Sequence, residues 1–163
     1  MKETKICVMS RKVASEYAHG KAFFDNHNYI PSVIISITDI WENHPSLPKT
    51  TTNKIRDILS LKFEDTELER EDGITDNDAK QIAQFVDKYF GNIDMIIVHC
   101  EAGVSRSAGC AAAIMKFYRG DDTPIFDNGH YVPNMLVYRK VLNALNQWKE
   151  ERKNMERGEQ EFD

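Results

Sequence analysis

Apolar positions along the chain fall into short β-branched runs separated by stretches of helical spacing. Lys5 to Ser10 is a compact apolar run, and Ser32 to Thr38 (Ser-Val-Ile-Ile-Ser-Ile-Thr) is richer still in β-branched residues, bounded by Pro31 and Asp39. Both read as buried strands. Between them Ala14, Tyr17, Ala18, Ala22 and Phe23 recur at roughly helical spacing, interrupted by Gly20, which predicts a helix. Trp41 to Lys54 carries Pro45, Pro48 and consecutive threonines, the composition of a surface loop.

Ile58 to Phe63 reads as a third strand running into an acidic, polar loop, Glu64 to Gly73. Thr75 followed by Asp78 has the form of a capping box. Ala79, Ile82, Ala83, Phe85, Val86 and Tyr89 then mark an amphipathic helix ending at Gly91. Asp94 to His99 is the strongest strand pattern of the chain, and Ser107 to Tyr118 is an Ala-rich run of high helix propensity. Beyond a loop with Pro124 and Gly129, Pro133 is expected in the first turn of a last helix, with Leu136, Val137, Val141, Leu142, Leu145 and Trp148 facing inward. From Lys149 the chain is charged or polar, and residues 149–163 are expected to fray. Strands alternating with helices predict an α/β fold, a mainly parallel central sheet flanked by helices. No repeat or long linker divides residues 1–163, so one domain is expected.

Composition narrows the functions available. A chain of 163 residues with 41% hydrophobic content can bury one sizeable core. Its formal net charge of -5 argues against general binding to nucleic acid or to anionic membranes, which rests on clustered Lys and Arg. The apolar run Ile6 to Met9 is too short for a secretory core or a membrane span, and a cytoplasmic location is expected. Cys7, Cys100 and Cys110 are an odd number without paired spacing, so neither a disulfide framework nor a metal site is suggested. Cys7 and Cys110 read as core residues.

The chemistry concentrates in His99-Cys100-Glu101-Ala102-Gly103-Val104-Ser105-Arg106-Ser107. A strand that ends in a short loop and turns into a helix gathers backbone N–H groups at the positive end of the helix dipole, a site for phosphate. Gly103 lets the loop curl, and the planar fork of Arg106 binds two phosphate oxygens at once. The same field acts on Cys100: a thiol so placed drops from about 8.5 into a range of roughly 3.5 to 7.5, and attacks as the thiolate. Residues 101–106 form the phosphate cradle, Ser107 is placed to hydrogen-bond the sulfur, and His99 to orient the loop. A buried core cysteine is the competing reading of a lone Cys100, but here His, Cys, Gly, Arg and Ser occur together at the spacing the mechanism needs.

This run resembles the His-Cys-(five residues)-Arg-Ser/Thr signature of the protein tyrosine phosphatase superfamily. The absence of the long additional segments of the larger tyrosine-specific enzymes makes the chain similar to the small dual-specificity branch, closest to its prokaryotic and phage members, over about residues 5–148. The resemblance implies Cys100 as nucleophile, Arg106 as phosphate ligand, no metal and no cofactor. Pro133-Asn134 is similar to the Pro-Asn that opens a late helix in many dual-specificity enzymes, with Asn134 near the loop. The superfamily's general acid is an Asp on a mobile loop, which points to the acidic segment after the third strand. Its candidates are Glu64, Asp65, Glu67, Glu69, Glu71 and Asp72; Asp65 fits best and Asp72 is the alternative.

Asp39, at the carboxyl end of a strand, is read as a turn residue, and Arg11 either adds positive potential to the pocket or forms a surface ion pair. Phosphoinositide-directed relatives tend to carry Lys or Arg within the five-residue run, whereas this chain has Glu101 there. The expected partner is a phosphorylated protein, phosphotyrosine first. The alternatives are a non-protein phosphate (an inositol lipid, an RNA 5' end, a small metabolite) and a phosphate-binding module without turnover.

Overall fold

The computed structural model describes residues 1–20, 30–48 and 55–162. Its elements are β1 (Lys5–Ser10), α1 (Arg11–Ala18), β2 (Ser32–Thr38), β3 (Ile55–Lys62), α2 (Asp76–Tyr89), β4 (Met95–Cys100), α3 (Arg106–Arg119), α4 (Thr123–Phe126) and α5 (Met135–Phe162). The strands form one sheet in the order β1-β4-β2-β3, and every pairing is parallel. β2 and β4, in the middle, are buried along their whole length, which is why they read as continuous apolar runs rather than alternating ones.

Side chains alternate across the sheet with the two-residue period of a strand. Val33, Ile35, Ile37, Ile96 and Val98 pack with α2, α3 and α5 on one face. Ile34, Met95 and Ile97 pack with Tyr17 and Ala18 of α1 on the other. The helices are fixed by their ends. Ser10 caps α1 through Val13 N at 3.1 Å. Thr75 and Asp78 close the expected capping box on α2 at 2.9 and 3.0 Å.

Several boundaries differ from the sequence expectation, each for a local reason. α1 stops at Ala18, and Gly20 takes a φ of +67° just beyond it; Ala22 and Phe23 lie outside the described residues, as does 49–54 of the expected loop. β3 starts at Ile55 rather than Ile58, because Ile55 is buried and the charge of Asp57 is satisfied by the Tyr89 hydroxyl at 2.5 Å. The stretch around Pro124 contains the short helix α4. Pro133 lies outside α5: Asn134 caps that helix, its Oδ1 accepting from Val137 N at 3.0 Å.

Residues 149–162 do not fray but continue α5. Glu, Lys and Arg favour helix, and here they are paired: Arg152 with Asp87 of α2 at 2.7 Å and with Glu156 at 3.8 Å, Lys80 of α2 with Glu151 at 3.8 Å. No helix among the described residues is long and apolar enough to cross a membrane.

Candidate active site

β4 delivers Cys100 to the carboxyl edge of the sheet, in register with Ser10 of β1, while the neighbouring His99 faces Ser36 of β2. This edge, where the strand order reverses around β4, is where open α/β sheets leave a crevice. The loop that follows is held by its carbonyls. Glu101 O accepts from Arg11 N at 3.1 Å, Val104 O from Val132 N at 3.0 Å, and Ser105 O from Asn134 N at 3.0 Å and Gly109 N at 2.9 Å. With these oxygens tied to surrounding backbone, the loop amides are left for the interior of the curl.

Gly103 takes a φ of +71°, and a Cβ there would lie 2.7 Å from the backbone of Met9 and Ser10. Only glycine meets both conditions. Ser105, which precedes α3, makes no capping bond to the helix. Its hydroxyl turns instead to Asp65, so the amides at the start of α3 remain open to an anion.

Cys100 is buried, and its sulfur lies 3.0 Å from Ser107 Oγ. Burial acts to raise the thiol pKa. The hydroxyl and amide of Ser107, the amide of Gly103 and the charge of Arg106 outweigh it and bring the pKa below the ordinary thiol value.

Arg106 is buried beside it. Nη1 donates to Asp39 Oδ1 at 2.5 Å and to the Phe63 carbonyl at 2.8 Å, while Nε is buried with no partner among the described residues. Asp39 is therefore not a turn residue alone: it anchors the arginine from the end of β2. A guanidinium fixed at one nitrogen and open at another is aimed at a ligand.

His99 is fully buried. Nδ1 lies 3.2 Å from the Cys100 carbonyl, which only accepts, so Nδ1 carries the hydrogen and Nε2 accepts from the Ser36 hydroxyl at 2.6 Å. Burial lowers its pKa to about 4; the bond to the Cys100 carbonyl only partly opposes this. The neutral ring thus ties β4 to β2 beneath Cys100.

Across the opening, Asp65 Oδ1 accepts from Ser105 Oγ and from Asn134 Nδ2, each at 2.8 Å. Asn134 also donates to Thr66 O at 3.1 Å while capping α5, and it is buried. Asp72 lines the same cleft but is held by Arg70 at 2.5 Å rather than by the phosphate loop. Arg11 forms the surface pair, with Glu42 at 3.4 Å, and donates to Asn43 O at 2.6 Å. Cys7 is half-buried on β1; Cys110 lies inside α3, its thiol pushed up to about 12 by burial and the nearby Cys100.

The structure therefore brings together Cys100, Arg106, Ser107, His99, Asp65 and Asn134, with Cys100, Glu101, Ala102, Val104, Ser105 and Arg106 lining an open cleft of about 720 Å³. Asp39 and Ser36 complete it without having been assigned to it from the sequence. A polar residue inside the apolar run of β2, and an acid where that run ends, were the available signals.

No protein-family model and no curated protein matches this chain. Solved structures do. The human tyrosine phosphatase-like serine/threonine/tyrosine-interacting protein is 19% identical, with 88% of this chain and 90% of that chain covered and a TM-score of 0.56. Human DUSP28 is 12% identical, with 90% and 94% covered and a TM-score of 0.58. PTPMT1 in complex with PI(5)P is 15% identical, with 91% and 94% covered and a TM-score of 0.54. The chain thus shares the α/β fold of dual-specificity phosphatase-like proteins over nearly its whole length.

Proposed function

We propose that this chain is a cysteine-dependent phosphatase that hydrolyses phosphomonoesters through a cysteinyl-phosphate, with protein phosphotyrosine as the first substrate class. The observation that carries this reading is the pair at the cleft floor: a thiol hydrogen-bonded to Ser107, and beside it a buried Arg106 Nε without a partner among the described residues.

The loop amides and Arg106 hold the phosphoryl oxygens, and the Cys100 thiolate attacks phosphorus as the bond to the ester oxygen breaks. Asp65 gives its proton to the departing oxygen, so an alcohol or phenol leaves and Asp65 becomes a carboxylate. Water then attacks phosphorus and Asp65 takes back a proton. The sulfur–phosphorus bond breaks, the Ser107 hydroxyl donates to the returning thiolate, and inorganic phosphate is released. Both donors to Asp65 address Oδ1, which leaves Oδ2 to carry the proton.

Three observations support monophosphorylated protein over an inositol lipid: Glu101 lies in the loop, the loop itself lacks Lys, and carboxylates surround the opening. We infer further that the protein works in the cytoplasm, where reducing conditions preserve a reactive Cys100 thiol.

The wild type should hydrolyse para-nitrophenyl phosphate without added metal and be blocked by vanadate, and Cys100→Ser should be inactive. Metal dependence or retained activity in Cys100→Ser overturns the mechanism. Turnover of phosphotyrosine and phosphothreonine peptides beside a phosphoinositide and a 5'-phosphorylated RNA ranks the substrate classes.

A further inference from the structure

The floor of the cleft suits a phosphate, but its walls repel further negative charge. Five carboxylates line it (Asp39, Glu64, Asp65, Asp72, Glu101) against two guanidiniums, Arg70 and Arg106. Each arginine already holds one of those acids, Arg70 with Asp72 and Arg106 with Asp39. Asp65 is held by neutral donors, and neither Glu64 nor Glu101 enters an ion pair among the described residues. The uncompensated charge thus lies on the acidic loop and on the first residue of the phosphate loop.

Three segments that build the opening each also expose a large apolar side chain: Trp41 at 92%, Leu68 at 68% and Val132 at 67%. Trp41 sits two residues past Asp39, on a turn pinned by Glu42 N to Asp39 O at 3.0 Å and by Arg11 to Asn43 O at 2.6 Å. Leu68 belongs to the loop that carries Asp65 and Asp72. The amide of Val132 holds Val104 of the phosphate loop. None of the three lines the cleft itself, and single exposed apolar residues are ordinary, but a fully exposed tryptophan on a pinned turn next to Asp39, with two more on segments that carry or tie lining residues, is the composition of a contact surface beside it.

We propose that this rim reads the residues flanking the phosphorylated one, and that its occupant is a phosphopolypeptide bearing Lys or Arg and apolar side chains beside the phosphoresidue. The proposal rests on the phosphatase reading of the same site and deepens it. Cationic flanks gain against Glu64 and Glu101, and acidic flanks meet like charge. An anionic bilayer would bring many more negative charges against the same walls, which is why a polypeptide is favoured over a lipid surface. A small phosphate ester, filling only the floor, would leave Trp41, Leu68 and Val132 without contact. On the Trp41 side Arg11 is offset by Glu42, and Lys62 is near enough to act on His44, so the basic flank is read on the side of the acidic loop.

The test compares kcat/KM for two phosphotyrosine peptides, one with Lys and Leu flanks and one with Glu and Ser flanks, beside para-nitrophenyl phosphate and phosphoinositide in anionic vesicles. The basic, apolar peptide should lead by roughly tenfold, and the lead should shrink on going from low to high salt. In Glu64→Lys and in Trp41→Ala the ratio of peptide to para-nitrophenyl phosphate kcat/KM should fall by roughly threefold or more. Para-nitrophenyl phosphate turnover with equal rates for the two peptides overturns this proposal alone; with the vesicle substrate leading, it overturns this proposal and the protein substrate class, and leaves the cysteine-dependent phosphatase reading standing. No turnover of any of the four overturns the phosphatase reading and this one with it.

Discussion

Asn134 Nδ2 donates to Asp65 Oδ1 at 2.8 Å, and the same side chain accepts from Val137 N at 3.0 Å to start α5. One buried amide therefore holds the candidate acid and the last helix together. Replacing it with alanine removes a helix cap, which costs about 1 kcal/mol, and leaves buried groups unpaired, which costs about 1 kcal/mol or more in addition. Asn134→Ala is expected to lower the unfolding free energy by that sum in urea titration. Its kcat should fall more for phosphates with poor leaving groups than for para-nitrophenyl phosphate; an equal fall for all substrates would separate Asn134 from the acid.

Asp65→Asn removes the proton donor while keeping the side chain's size. For substrates with poor leaving groups kcat should drop by about 10²- to 10³-fold, and for esters whose leaving group needs no proton the drop should be small. Asp72→Asn, which breaks only the pair with Arg70, should not reproduce this dependence on the leaving group. A plot of rate against leaving-group pKa for both variants decides between them.

The thiolate form of Cys100 is favoured by its surroundings, so alkylation by iodoacetamide should already be fast below the ordinary thiol range and rise with pH only through the depressed pKa. Ser107→Ala deletes the hydroxyl donor. Its alkylation midpoint should move upward in pH, and hydrolysis of the cysteinyl-phosphate should slow, seen as a larger burst followed by a lower steady rate.

His99 is neutral when folded, with a pKa near 4 against 6.5 unfolded. Above pH 6.5 neither state binds a proton here and folding stability is unaffected. As pH falls from 6.5 towards 4 the unfolded chain takes up the proton first, and stability is lost, by up to about 3 kcal/mol once both values are passed. Urea unfolding at pH 7.5 and pH 5 should show the loss, and His99→Asn should remove its share of the slope.

Three glycines separate crowding from backbone strain. A Cβ on Gly109 would run into the Asn134 carbonyl, so Gly109→Ala should cost roughly 1–3 kcal/mol and disturb the acidic loop through Asn134. Gly120 has open space but a φ of +69°, so its alanine variant should cost only about 1 kcal/mol and leave activity alone. Gly129, with neither constraint, should be neutral. Thermal melts with parallel rate measurements distinguish the three.

What the sequence made legible was whatever is local in the chain. The strand-loop-helix around Cys100 spans nine consecutive residues, so Cys100 and Arg106 could be placed together at one loop from spacing alone. The acidic loop after β3 was legible for the same reason, and Asp65 was preferred within it from its position and the resemblance; its bond to Asn134, 69 positions away, could not be read. Arg106 with Asp39 and His99 with Ser36 are 67 and 63 positions apart, and no local pattern announces a pairing made by strand order. The charged C-terminal run misled because its composition alone resembles a solvated tail; Asp87, which anchors Arg152, lies 65 positions earlier. Asp57 hid the start of β3 in the same way, its partner Tyr89 being 32 positions on.

The outward-tied carbonyls of the phosphate loop have a consequence for the order in which the molecule comes into being. Their partners are Arg11, before the loop, Gly109 in α3, and Val132 and Asn134, well after it. A nascent chain released only as far as the end of α3 has every residue of the loop but lacks the ties that Val132 and Asn134 give to Val104 and Ser105, so the loop around Cys100 is only partly held. Labelling of Cys100 during synthesis or refolding should therefore reach its full rate only when residues 132–134 have docked on the loop, and so reports that late step.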